Sequence, residues 1–161
     1  MKLNIVLAAT LLAASSSVLA NEKVSTVTQL SSATAFELAN AAVGQCAKDG
    51  YNVSATVVDI SGRVQAQLRY DNASPHTLDS SRQKAFTAVS MKQPTANLMK
   101  LVAEKPLMDP LRDMDDNLLF LAGGLPVEYK GQIVGAIGVG GAPGGHLDVI
   151  CAEAAIKAVM K

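Results

Sequence analysis

Nine of the chain's twelve glycines fall between Gly123 and Gly145, and a run so rich in glycine cannot be a helix or an ordinarily packed strand throughout. Glycine loses the most backbone freedom on ordering and brings no side chain to pack. It is kept where the backbone must turn or lie close to something. The segment GGLPVEYKGQIVGAIGVGGAPGGHLDVIC divides on that logic. Residues 125–129 read as a strand, Lys130-Gly131 as a two-residue hairpin turn, and residues 132–139 as the return strand. Gly135 and Gly138 interrupt the return strand and imply a bulky neighbour on that surface, either a packed helix or a flat ligand. The run Gly140-Gly141-Ala142-Pro143-Gly144-Gly145 holds no regular structure and feeds a helix beginning near His146 to Asp148. Such a loop offers backbone N–H groups to an anion. It is not a nucleotide loop, because there is no Gly-Lys-Ser/Thr ending and no strand–GxGxxG–helix order with a distant acid.

Upstream, Ser31 or Ser32 can cap a helix running to about Lys48, with Phe36, Ala39, Val43 and Cys46 on one face and Asp49-Gly50 ending it. Residues 53–59 and 63–70 form a hairpin around Ser61-Gly62. A loop over 72–77 leads to a helix over about 78–91. Pro94 interrupts it, a short helix follows near 96–102, and Pro106 and Pro110 bracket a stretch with no clear period. Residues 117–122 read as the third strand, and the glycine-rich hairpin adds two more. The sum is an α+β chain with a five-stranded, mainly antiparallel sheet covered by helices.

The start of the chain bears on location. Lys2, an apolar core over 5–12 and the small-residue site Val18-Leu19-Ala20 before Asn21 predict a secretory signal peptide over residues 1–20. The apolar run is shorter than the ~20 residues that span a bilayer, so no stable membrane anchor is expected. Residues 21–161 are then one exported domain, periplasmic or secreted, with no room for a second. Without Lys2 the domain has thirteen basic and fourteen acidic residues. That balance, with no basic cluster, argues against a nucleic-acid partner. With no tryptophan and only three tyrosines and three phenylalanines, a flat ligand would rest on aliphatic and glycine surface.

Two stretches carry a family resemblance. GGLPVEYKGQIVGAIGVGGA followed by Asp148-x-x-Cys151-Ala152 resembles the GlcG/HbpS family of haem-binding proteins, related to the C-terminal domain of PduO-type proteins. VVDISGRVQAQLRYDNASPHTLDSSRQKAFTAVSM, residues 57–91, resembles the same family, including its Asp-x-x-Gly turn and Lys-Ala-x-Thr-Ala helix. Together the matches reach over residues 32–160. The resemblance implies a profilin-like or PAS-like sandwich, a homo-oligomer, and haem or another small planar ligand as partner. It also implies a role in storing, buffering or sensing haem, compatible with weak haem-redox or degradation activity.

Few side chains could serve that chemistry. His76, in a loop stiffened by Pro75, is the leading metal ligand, since a neutral imidazole can bind haem iron through one nitrogen. The alternative is a histidine that caps the following helix or faces water. Arg69, Arg82 and Lys84 lie near it in sequence and could meet haem carboxylates; Lys84 matches a family position, while both helix cations could equally be a solvated face. Gly135 and Gly138 would form a flat wall. His146 reads as a helix-start residue, Tyr70 as a strand-end aromatic, and Met91 and Met114 as gap fillers, each retaining a donor atom.

Cys46 and Cys151 sit on apolar helical stripes, and the preferred reading is two buried thiols. A disulfide would require the two helices side by side with Cα atoms about 6 Å apart, which the family topology permits. No Gly-x-Ser-x-Gly elbow or other catalytic constellation is present, and the acids Asp109, Asp113, Asp115 and Asp116 lack the pattern of a calcium loop. The competing function is an oligomeric binding module or scaffold without haem, in which the glycines serve packing. An enzyme of small-acid metabolism has only the operon setting of relatives behind it.

Overall fold

The structure, a computed structural model, describes residues 25–161; the signal peptide expected over residues 1–20 lies outside them. Ser31 accepts a hydrogen bond from the Thr34 N–H (3.1 Å) and starts α1 (Ser32–Lys48), as expected for a hydroxyl N-cap. The buried side of α1 is Ala35, Leu38, Ala39, Ala42, Val43 and Cys46, the spacing of one helical face. Phe36, expected on that face, lies one residue off the stripe and is 60% exposed.

Strands β1 (Ser54–Val58) and β2 (Val64–Arg69) are joined by the expected turn. The Asp59 carboxylate accepts from the N–H groups of Ser61 (2.8 Å) and Arg63 (3.0 Å), an Asx turn. Helix α2 (His76–Met91) follows, then α3 (Thr95–Glu104), a 3₁₀ segment (Pro106–Asp113), β3 (Gly124–Tyr129), β4 (Gln132–Gly140) and α4 (Gly145–Val159). Lys130 and Gly131 between β3 and β4 both have positive φ, +50° and +75°, which is the two-residue hairpin turn that matches strand twist.

The sheet has four strands, not five, in the order β2-β1-β4-β3 with every neighbour antiparallel. The missing strand is the apolar stretch 117–122. Its Leu119 N–H donates to the Thr87 hydroxyl of α2 (2.8 Å), and Phe120 packs with Leu98 and Val102 of α3. Its backbone and side chains are therefore taken by helices rather than by a strand.

All five residues of β1 are buried, because both faces of the sheet are covered. Ala55 and Val57 join Val127, Ile137 and Val139 against α1 and α4. On the opposite face Val58 and Ala136 meet Ala85, Ala88 and Val89 of α2. Two hydroxyl pairs seal that layer, Ser54 with Thr77 and Thr56 with Ser81, both at 2.7 Å. Buried hydroxyls need such partners.

Cys46 and Cys151 form a disulfide between α1 and α4, with Cα atoms 5.5 Å apart, which overturns the expectation of two buried thiols. The two helices meet through small side chains, Ala35, Ala39 and Ala42 on one and Ala152 and Ala155 on the other. Small residues let the helices approach closely enough for the two sulfurs to meet.

Candidate functional site

Helix α2 carries two stripes. Thr77, Ser81 and Ala85 face the sheet, and His76, Ser80 and Lys84, at i, i+4 and i+8, line a cleft of about 670 Å³. The other walls come from α3 through Ala96 and Met99, from Leu121 and Ala122, and from the glycine loop with the first turn of α4. Apart from two imidazoles, Ser80 and the Lys84 and Asp148 side chains, the lining is aliphatic and glycine surface with no Phe, Tyr or Trp, as the composition implied.

His76 is the first residue of α2 rather than a loop residue, with Pro75 at the N-cap position. The loop before it is set by Asn72 at φ +62° and by Arg69, whose Nη1 donates to the Ala73 carbonyl (3.0 Å). Arg69 thus holds the loop and does not line the cleft. Arg82 donates to Asp79 (2.8 and 3.0 Å) and to Asn117 Oδ1 (2.9 Å), also away from it.

Lys84 does line the cleft, but its ammonium is committed. Nζ donates to Asp148 Oδ2 (2.8 Å) and to the Val139 carbonyl (2.9 Å), and the two paired side chains are only 6% and 3% exposed. Asp148 Oδ1 accepts from the Ala142 N–H (3.1 Å), so the pair also fixes the glycine loop. Burial pushes the Asp148 carboxyl above its ordinary value, while the Lys84 charge and its hydrogen bond, the Ala142 N–H and His146 oppose that rise.

Gly135 and Gly138 are covered by protein. A Cβ on Gly138 would strike the Ser81 carbonyl and the Ala85 nitrogen of α2, and one on Gly135 would lie 2.5 Å from the Val58 carbonyl oxygen and 2.9 Å from Leu30. These glycines let α2 and the N-terminal segment press on the strand, and neither lines the cleft.

His146, read as a helix-start residue that retains a donor atom, lines the same cleft as His76. Tyr70 and Met114 are exposed at 40% and 59%, Met91 packs beside Leu98, and none of the three lines the cleft. The methionine that does is Met99. Among the described residues no group of three or more His, Cys, Asp or Glu is placed to hold a metal ion, and no helix is long and apolar enough to cross a membrane.

The cleft fits a flat, largely apolar guest with a metal centre in two respects: its aliphatic walls, and imidazoles that make no hydrogen bond to the described residues. Comparisons with known proteins bear on the family. A family model described as haem degrading protein HbpS-like matches residues 30–157. Among solved structures, HbpS is 43% identical with a TM-score of 0.79, covering 85% of this chain and 94% of that one. The PduOC:heme complex is 27% identical with a TM-score of 0.71, covering 81% and 95%. Protein GlcG of Escherichia coli is 33% identical over 92 residues, 57% of this chain and 66% of that protein. With its matched region spanning every strand and helix around the cleft, the chain belongs to the HbpS-like family.

Proposed function

We propose that the protein binds haem in the cleft between α2, α3 and the first turn of α4, with His76 as an iron ligand, and that it stores, buffers or senses haem after export. The observation that carries this reading is an unpartnered histidine at the wall of an aliphatic cleft, in a chain whose relatives include a haem complex. Haem bound there would supply redox chemistry at its iron. The residues of this chain would bind it, shield one face from water and present a nitrogen donor. Weak haem-redox or degradation activity fits the same assignment.

Export to the periplasm or beyond is supported by the Cys46–Cys151 disulfide, since such bonds persist in oxidising compartments and are rare in the cytosol. Self-association is proposed from the family resemblance. The rival reading, a binding module or scaffold without haem, draws support from Gly135 and Gly138, which serve helix packing rather than a ligand wall.

The test is a haemin titration of the purified protein beside His76→Ala, following the Soret band in oxidised and dithionite-reduced samples. A saturable, shifted band that moves or vanishes in the variant is expected. A shifted band identical in both proteins would remove His76 from the iron, and no saturable band in either would leave the scaffold reading.

A further inference from the structure

The two histidines of this chain stand on different helices yet line one cleft, each in the first turn of its helix. Among the described residues neither imidazole makes a hydrogen bond. Residues two and eight positions further along those helices are bound to each other: Lys84, on the stripe of His76, holds Asp148, two residues after His146, at 2.8 Å. Both partners of that ion pair are buried. It is a cross-brace that fixes the two histidine-bearing turns relative to one another, and the Asp148 hydrogen bond to the Ala142 N–H fixes the loop between.

A third feature concerns the ring of His146 itself. It folds back over Gly144, where a Cβ would lie 2.7 Å from its Cε1 and 2.9 Å from its Nδ1. Gly144 has an extended backbone, φ −159°, which any residue adopts. The His146 side chain is exposed, so a methyl group at this position would push the ring aside rather than strain the backbone.

We propose that His146 is a second nitrogen ligand of the cleft, so that a metal-centred planar guest is held by two imidazoles, one from α2 and one from α4. This rests on the haem reading above and deepens it. A neutral imidazole presents one nitrogen lone pair to a metal, and two on one ferric haem give a six-coordinate, low-spin centre. The brace fixes the helices that carry the two exposed imidazoles, so only side-chain freedom is lost on binding.

The probe is haemin, and the readouts are the ferric electron paramagnetic resonance spectrum and the Soret titration. The unaltered protein is expected to give a low-spin signal, and His146→Ala and His76→Ala are each expected to replace it with a high-spin one. Added imidazole should restore the low-spin signal to His146→Ala. Gly144→Ala, which leaves every candidate ligand in place, should displace the His146 ring and weaken haemin binding on the order of tenfold, the scale seen when the support of a metal ligand is removed. A high-spin unaltered complex, or a His146→Ala complex that keeps the low-spin signal and the original affinity, overturns the assignment of His146 while leaving haem binding intact. Absence of any saturable Soret band overturns both, which separates the two failures.

Discussion

Replacing Lys84 by methionine keeps the apolar stem of the side chain and deletes its ammonium, leaving the Asp148 carboxylate buried without its counter-charge. Both side chains are nearly inaccessible, at 6% and 3%, so the carboxylate has little water to replace the lost partner. Breaking a pair of this kind costs about 3–5 kcal/mol, a large share of the roughly 5–15 kcal/mol that holds an ordinary domain together. Burial already raises the Asp148 carboxyl, and Lys84 opposes the rise; without Lys84 it rises further. A carboxyl whose folded-state value exceeds its unfolded one binds its proton more tightly when folded. The variant therefore loses stability as pH climbs from the ordinary value of 3.8 through the raised one, and regains it as pH falls. The deficit should be small near the lower end of that window and full at neutral pH.

Removing both charges, as Lys84→Met with Asp148→Leu, abolishes the burial penalty. Lys84→Met already frees the Val139 carbonyl; the second change orphans in addition only the Ala142 N–H, worth about 1–3 kcal/mol, so the double variant should be more stable than Lys84→Met at neutral pH. Urea unfolding of the three proteins across that pH range measures each term. A double variant less stable than Lys84→Met, or a Lys84→Met deficit that ignores pH, would refute the reasoning.

Two further predictions concern the scaffold. The disulfide closes a loop with a sequence separation of 105, for which chain entropy gives about 4.7 kcal/mol. Cys46→Ala with Cys151→Ala should lose a comparable amount in urea, protein recovered from the periplasm should carry no free thiol, and a loss below about 1 kcal/mol would show that entropy is not the source. Gly138→Ala drives a methyl group into the backbone of α2 and should cost about 3 kcal/mol, the upper range for overpacking. Gly44→Ala, with open space around it in α1, should gain roughly 0.5–1 kcal/mol; equal effects at the two positions, read by thermal unfolding, contradict the packing account.

What the sequence made legible was local. The Lys130-Gly131 turn and the Asp59 to Gly62 turn are decided by neighbouring residues, and both formed where their residue types required. The Ser31 cap and the end of α1 at Asp49-Gly50 belong to the same class. The stretch 117–122 was misread because an apolar run looks alike whether it pairs as a strand or covers a helix. Here a hydroxyl 32 residues away, on Thr87, made the choice. The disulfide was misjudged because it depends on how closely the alanine faces of α1 and α4 approach. Lys84 read as a contact for haem carboxylates or a solvated face; its ammonium is instead bound to Asp148, 64 positions away, beyond any local pattern. His146 and Met99 were missed as cleft residues for the same reason: only the packing of α2, α3 and α4 brings their turns together. The stripe His76, Ser80 and Lys84 was available at helical spacing once α2 was known to begin at His76.

The covalent link between the first and last helices also governs how this chain would respond to tension. If it were pulled by its two ends, force would pass through residues 25–46, across the sulfur bridge and out through residues 151–161. The sheet, α2, α3 and the cleft hang from that bridge as a slack loop. About 360 Å of contour, at roughly 3.3–3.6 Å for each of the 105 residues spanned, would stay hidden until the bridge was reduced. A bound guest would thus sit in a part of the molecule mechanically insulated from anything that tugs on its ends.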